Sequence, residues 1–162
     1  MADYTTILVE ETETEAGRIL TITGTPCRHG PVGGDRGPVT GFVLNWKDEN
    51  SNGVYITGDT VWYEGVEEVA RRFDIGLVLL FMGAAKLAVL GPAHLTMTVE
   101  ESLKAARLFA KAPIVPLHFE GWEHFSEGYD EIIRQYTKAG MTDRLHWAPP
   151  YQPSTHPNPN TK

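Results

Sequence analysis

Residues 114–125 read IVPLHFEGWEHF, an apolar run that changes abruptly to histidines and acidic residues. The first four residues have the length and composition of a buried strand. Histidines and acids directly after such a strand are typical of a functional loop at the carboxyl edge of a sheet. This stretch therefore predicts an α/β fold with its site where the strands end.

Two further predicted strands end in the same way. Residues 23–30 read TGTPCRHG and residues 54–60 read VYITGDT, so His29 and Asp59 directly follow strands. Imidazole and carboxylate groups are ligands that Zn, Mn and Fe accept. We therefore predict that His29, Asp59 and His118 bind a divalent metal, Zn or Mn.

Each of these three residues also has an ordinary structural explanation. His29 could be an exposed loop histidine, and Asp59 could be the N-cap of a helix beginning near Trp62. His118 could be a hydrogen-bonded histidine at a strand end. The metal prediction depends on all three residues following strands.

Composition limits the classes of function. The chain has 162 residues and a net charge of -7, with a pI near 5.3 and a mean hydropathy of -0.25. This acidic balance argues against nucleic-acid binding, and the length favours one domain. The single cysteine, the absence of a leader-like start and the short apolar runs predict a cytoplasmic protein without a membrane span.

The predicted elements change character along the chain. Strands predicted over residues 5–9, 18–23, 39–46 and 53–57 favour antiparallel pairing, and later strands over 75–81, 114–117 and 144–147 alternate with helices. Helices are predicted around Val66, from a Thr98 capping box to about Lys111, and after Ser126 as N-cap. This order of strands and helices predicts one domain over residues 1–148. The Pro- and Asn-rich composition of residues 149–162 predicts an irregular tail.

Four motifs resemble the metallo-β-lactamase superfamily. They are Thr25-Pro26-x-x-His29, Ile56-Thr57-Gly58-Asp59-Thr60, His94-Leu95-Thr96-Met97-Thr98 and Val115-Pro116-Leu117-His118-Phe119-x-Gly121-Trp122-x-His124-Phe125. They are most similar to the branch of ascorbate-phosphate lactonase-like and N-acyl-phosphatidylethanolamine phospholipase D-like hydrolases. The resemblance implies a four-layer αββα sandwich, His29 and His118 as metal ligands, and Asp59 as the bridging carboxylate.

The HxHxDH motif of that superfamily is absent from the chain. The motif supplies most of the metal ligands from the N-terminal half of the fold, so the resemblance covers the C-terminal half. We therefore expect a truncated hydrolase of an ester, lactone or phosphodiester, with a small-molecule substrate, partial metal occupancy and weak activity. The alternative is a non-catalytic half-fold that acts as an interaction or oligomerisation module, or a fragment of a longer hydrolase. A strand-end phosphoacceptor role for Asp59 is less well supported.

Three other residues are weaker candidates. Cys27 could be a soft metal ligand, although a buried strand-alternation position explains it better. His94 is expected to hydrogen-bond a loop carbonyl. By resemblance, His124 would be catalytic beside Asp59, as a proton donor or as a partner of a metal ligand, in a loop whose Trp122 shapes the substrate mouth.

The strands are apolar on both faces, which bears on assembly. Phe42 and Leu44 alternate with Val43, and the run 77–81 is unbroken, whereas the helices can cover only one face. We therefore predict half of an αββα sandwich that is completed by a homodimer through the open sheet face.

Overall fold

A computed structural model of the chain describes residues 11–13, 19–31, 36–47 and 52–148. Within these residues the chain forms a six-stranded mixed sheet in the order β1 to β6. The strands are β1 (Glu11–Glu13), β2 (Ile19–Thr25), β3 (Gly41–Trp46), β4 (Gly53–Ile56), β5 (Ile75–Phe81) and β6 (Ile114–Leu117). Strands β1 to β4 pair antiparallel, and β4, β5 and β6 pair parallel. The predicted α/β class with a mixed sheet is confirmed.

Three α-helices follow the antiparallel part of the described chain. They are α1 (Glu64–Arg72), α2 (Val99–Leu108) and α3 (Tyr129–Lys138), and short 3-10 helices span Ala88–Leu90 and Thr142–Arg144. The predicted capping box at the start of α2 is present, because Thr98 Oγ1 accepts a hydrogen bond from the Glu101 N–H and the Glu101 carboxylate accepts one from the Thr98 N–H. The helix ends at Leu108, three residues before the predicted end.

All three helices pack on one face of the sheet. The main core joins Val43 of β3 and Val78 of β5 to apolar residues of every helix, including Tyr136 of α3. The hydroxyl of Tyr136 donates a hydrogen bond to Ser102 Oγ at 3.2 Å, which satisfies a buried polar group between α3 and α2.

The opposite face of the sheet carries a separate apolar cluster, which we call the open face. Its buried members are Val54, Leu77 and Val115, and they pack with the partly buried residues Leu44, Trp46, Ile56, Leu79 and Leu117. Phe42 pairs with Ile56 on the same face and is 39% exposed. No helix of the described chain contributes to this cluster. The prediction that the helices cover one face is confirmed.

Two local predictions at the C-terminal end of the domain are wrong. Ser126 does not cap α3, whose N-cap is Gly128; its hydroxyl donates to the Ala84 carbonyl instead. The predicted strand 144–147 is a 3-10 helix that ends at Arg144, followed by an isolated parallel bridge between Leu145 and Ile114. The predicted strand 5–9 and the predicted tail 149–162 lie outside the described residues.

In the part of the chain that the structure describes, no helix is long and apolar enough to cross a membrane.

Candidate metal site

The sheet topology brings three loops to one edge. Strands β4 and β6 run parallel to β5 and end at the same edge. Strand β2 is antiparallel to β3, which is antiparallel to β4, so β2 also ends there. His29, Asp59 and His118 follow these three strand ends.

The Asp59 carboxylate lies between the two histidines. Its Oδ2 is 3.8 Å from His29 Nε2, and its Oδ1 is 3.4 Å from His118 Nδ1. The side chains of Asp59 and His118 are each 31% exposed, and that of His29 is 21% exposed. The predicted residues are therefore neighbours, with the carboxylate positioned to interact with both rings.

Within the described residues, however, no three His, Cys, Asp or Glu side chains already converge on a point that could hold a metal ion. Each histidine approaches Asp59 from its own side. Catalytic zinc usually has three protein ligands and one open position. The arrangement corresponds to two incomplete ligand pairs that share one carboxylate.

The donor atoms nevertheless fit a metal. His118 Nδ1 is buried and has no hydrogen-bond partner, because its 3.4 Å approach to Asp59 lacks hydrogen-bond geometry. A buried nitrogen without a partner is unfavourable unless something binds it. Burial also lowers the pKa of His29, against the opposing effect of the Asp59 charge. The neutral ring of a histidine is the form that binds metals.

His118 is held in an unusual backbone conformation. Its φ is 58°, in the left-handed region that costs a non-glycine residue about 1 to 2 kcal/mol. Its ring packs against Phe81 at 5.7 Å and Phe125 at 4.7 Å between centroids. A Cβ on Gly83 would lie 2.8 Å from the His118 carbonyl oxygen, so the neighbouring loop can approach only because residue 83 is glycine.

Cys27 holds the loop that carries Asp59 through hydrogen bonds to its backbone. The Cys27 thiol donates to the carbonyl oxygens of Thr57 and Asp59, both at 3.5 Å. Burial raises the pKa of this thiol to about 12, so in the absence of a metal it stays protonated and donates to these carbonyl groups. The N-cap explanation for Asp59 is wrong, since α1 begins at Glu64 with Tyr63 as its N-cap.

His124 lies beside the site. Its ring is 4.6 Å from Phe125, which in turn contacts His118. Trp122 is 69% exposed and 5.9 Å from the His124 ring, so the two rings form an accessible wall near His118.

His94 has a different partner from the one expected. Its Nε2 lies 3.1 Å from a carboxylate oxygen of Glu101, in place of the predicted loop carbonyl. The sequence reveals Glu101 only as the acidic residue of the capping box. Glu101 can also pair with His94 only because the loop before α2 turns back onto the helix. No local sequence pattern indicates that turn.

Proteins of known sequence that resemble this chain are metal-dependent hydrolases. A UPF0173 metal-dependent hydrolase of Nanoarchaeum equitans is 25% identical over 62% of this chain, and one of Pyrococcus horikoshii is 28% identical over 60%. The chain spans only 41% and 39% of the lengths of these relatives. No protein-family model matches the chain.

Solved structures of hydrolases share the fold of this chain. The isothiocyanate hydrolase from Delia radicum gut bacteria superimposes with a TM-score of 0.71 at 25% identity over 88% of this chain. A protein of Veillonella parvula described as a possible metal-dependent hydrolase gives a TM-score of 0.74 at 22% identity, also over 88%. The chain covers 55% of each of these structures.

Fold and similarity together support the resemblance of this chain to the metallo-β-lactamase superfamily, over part of the length of each relative. The relatives it resembles are metal-dependent hydrolases of the UPF0173 group.

Proposed function

We propose that this chain forms part of a metal-dependent hydrolase that cleaves an ester, lactone or phosphodiester bond in a small molecule. The observation that carries the proposal is the Asp59 carboxylate between His29 and His118, next to a buried and unpartnered Nδ1. Relatives named as metal-dependent hydrolases support it.

In this proposal, His29, Asp59 and His118 hold one divalent ion, Zn or Mn, weakly and at partial occupancy. When bound there, the ion would act as a Lewis acid that polarises the scissile bond and makes water a better nucleophile. Asp59 orients both imidazole rings, and its catalytic role is to maintain the charge balance of the centre. His124 acts at the rim as a proton donor or as a partner of a metal ligand, beside the exposed ring of Trp122.

Metal binding to the whole chain tests this function. Protein purified without chelator should contain well under two equivalents of metal, and Zn or Mn titrated calorimetrically should bind at no more than one site. Asp59→Asn should abolish that binding, whereas Asp143→Asn, an equal change of charge on an exposed 3-10 helix, should not. Two ions that survive dialysis, or equal binding by Asp59→Asn, would contradict the assignment.

Hydrolysis is the second measurement. Turnover of lactone, phosphodiester and β-lactam substrates should be feeble, because the three ligands hold at most one ion, weakly and at partial occupancy, and no second ion assists it. Asp59→Ala should remove it, and His124→Ala should reduce it without changing metal affinity. Efficient turnover that resists both chelators and Asp59→Ala would overturn the mechanism.

A second candidate function is a non-catalytic interaction module. The open face favours it, because Leu44, Trp46 and Leu79 form an apolar surface that no described helix covers. Absence of metal binding together with stable self-association would support this function over the first.

We propose that the open face joins two copies of the chain as a homodimer. Two such faces packed together would reproduce the four-layer order helix, sheet, sheet, helix. The face carries aliphatic and aromatic side chains, so its burial against a second copy removes apolar surface from water. We also propose a cytoplasmic location, which is consistent with the lone free thiol of Cys27 and can be checked by cell fractionation.

A further inference from the structure

A cavity of about 210 Å³ lies beside the metal site and has no role in the function proposed above. Arg28 and Pro31 line it from the loop after β2, and Val61 and Trp62 line it from the loop after β4. These are the same loops that carry His29 and Asp59. Glu101 of α2 and His94 of the loop before that helix close the cavity. A molecule held here would be bound by the loops that carry the candidate metal ligands His29 and Asp59.

Arg28 is the positive group of this cavity. Its guanidinium packs over the Tyr63 ring, 4.4 Å from the centroid, and its backbone is fixed by a bond from its N–H to Thr60 Oγ1. Among the described residues no carboxylate pairs with it, and its Nε is buried without a hydrogen-bond partner. A guanidinium held flat against an aromatic ring presents its remaining donors as a fork that suits carboxylate and phosphate groups.

Glu101, the acidic residue of the cavity, is already engaged. Its carboxylate accepts from the Thr98 N–H and lies 3.1 Å from His94 Nε2. Although burial works to raise it, the pKa of Glu101 is lowered by the hydrogen bonds from His94 and from backbone N–H groups. The negative charge of Glu101 is therefore compensated locally, and the charge of Arg28 remains available.

The cavity also has an apolar side and room for a small group. Val61 is buried and Trp62 is half-buried beside it. The volume corresponds to several water molecules at about 30 Å³ each, which is enough for a carboxylate or phosphate group with a short attachment. Because the chain has a net charge of -7, it does not attract anions in general, so binding here would depend on the local charge.

We propose that this cavity is an oxyanion subsite, in which Arg28 binds a carboxylate or phosphate group of the substrate and Trp62 packs against the carbon atoms next to it. The inference rests on the proposed hydrolase function for the identity of the ligand as a substrate, but the binding itself needs no metal. It narrows the substrate class to small anionic esters, lactones or phosphodiesters.

The test is a titration of the whole chain with phenyl phosphate, benzoate and benzyl alcohol in the presence of EDTA. The chain has four tryptophans, and the NMR signal of the Trp62 indole N–H can be assigned with Trp62→Phe. This signal should shift in a saturable way with one or both anions. Tighter binding of phenyl phosphate would indicate a phosphate subsite, and tighter binding of benzoate would indicate a carboxylate subsite. The neutral alcohol should have little effect; if it shifts the signal as strongly, the oxyanion assignment is wrong.

Variants separate Arg28 from a general effect of charge. Arg28→Gln should weaken anion binding by about tenfold or more, because a charged hydrogen-bonding fork is lost. Arg134→Gln removes the same charge from the exposed surface of α3, where Arg134 pairs with Glu131, and should bind as the wild type does. If Arg28→Gln does not fold, Arg28→Lys must still bind more weakly than the wild type. Unchanged affinity in the folded Arg28 variant overturns the proposal.

Metal titration of the same proteins keeps the two proposals apart. Arg28→Gln should retain the metal affinity of the wild type, and Asp59→Asn should retain anion binding in EDTA. A wild-type chain that binds the anions but no metal contradicts the hydrolase proposal alone, and a wild-type chain that binds metal but neither anion contradicts the subsite alone.

Discussion

His118 combines the features expected of a functional residue: a left-handed φ of 58°, a buried nitrogen without a partner, and a position at a strand end. Such strain persists only where the surroundings fix the conformation, and it is concentrated at functional sites. The His118 ring packs against Phe81 and Phe125, and these two contacts help to fix its conformation.

His118→Asn should separate binding from folding. Asparagine adopts the left-handed conformation more easily than most residues, so the loop should keep its path. We expect metal affinity to fall by at least about tenfold, and the free energy of unfolding to fall by only about 1 kcal/mol through the lost ring contacts.

Calorimetric metal titration and urea denaturation measure these two effects. His146→Asn is the matched control, because His146 lies beyond the bridge from Leu145 to Ile114, at the amino end of β6. A metal affinity that is lowered equally by both variants would exclude His118 as a specific ligand.

Gly58 determines the path of the chain into Asp59. Its φ is 62°, and a Cβ there would lie 2.8 Å from the Thr40 carbonyl oxygen. Gly140 has a similar φ of 67° after α3, but a Cβ there would meet nothing within 4 Å. The two glycines therefore share a backbone requirement and differ in their surroundings.

Gly58→Ala and Gly140→Ala should have different effects on stability. Gly140→Ala should lower the free energy of unfolding by about 1 to 2 kcal/mol through conformational strain alone. Gly58→Ala should lower it by about 1 to 3 kcal/mol more, because the backbone at Thr40 must move. Urea denaturation measures both, and equal effects would show that the Thr40 contact relaxes easily.

At the scale of elements, the start of α2 is stabilised by three connected interactions. Thr98 and Glu101 form the capping box, and Glu101 also holds His94 of the preceding loop. The hydrogen bond that His94 donates to the Glu101 carboxylate raises the pKa of His94 above its ordinary 6.5. The contribution of the His94–Glu101 pair to the free energy of unfolding therefore depends on pH.

The pair should stabilise the fold most at mildly acidic pH. Because the folded pKa of His94 is raised, its contribution is fully present below pH 6.5 and is lost as pH rises through the folded value. The pKa of Glu101 is lowered below 4.5, so its contribution is present above that pH and is lost as pH falls through the folded value.

His94→Gln should remove this dependence. The difference in free energy of unfolding between the wild type and His94→Gln should be largest near pH 5 to 6 and should shrink toward pH 8. His146→Gln should leave the profile unchanged. A difference that grows with pH would mean that His94 is stabilised in its neutral form.

At the scale of the whole molecule, the open face is the feature that the described chain leaves uncovered. Its buried centre, Val115 and Val54, is surrounded by partly exposed residues such as Leu79. Large contiguous apolar surfaces on soluble proteins usually mark interaction sites. A matched pair of exposed residues allows the proposed dimer to be tested.

Phe42→Glu should weaken the dimer, because Phe42 lies on the open face and is 39% exposed. Leu108→Glu introduces the same charge at an equally exposed residue, at the end of α2 on the helical side, and should leave the dimer intact. Light scattering after size-exclusion chromatography measures the mass of each protein. A wild type that remains a monomer of 18.0 kDa at high concentration would exclude self-association through this face.

Much of the site could be predicted from the sequence, because local patterns determine which residues follow strands. The apolar runs before Asp59 and His118 fix their positions at strand ends, and the capping box at Thr98 depends on residues three apart in the chain. The short polar strand β1 was not predicted, since its sequence Glu-Thr-Glu has no apolar alternation and its pairing with β2 defines it.

Only the tertiary structure decided how these residues act together. The position of Asp59 between His29 and His118 depends on the pairing of β2 through β6, and the sequence left its helix-capping alternative open. The cavity at Arg28 and the contact from Ser126 to Ala84 likewise join segments far apart in the chain. Periodicity and capping are local properties that a sequence carries directly, whereas distances between loops are set by strand order and packing, which no local pattern contains.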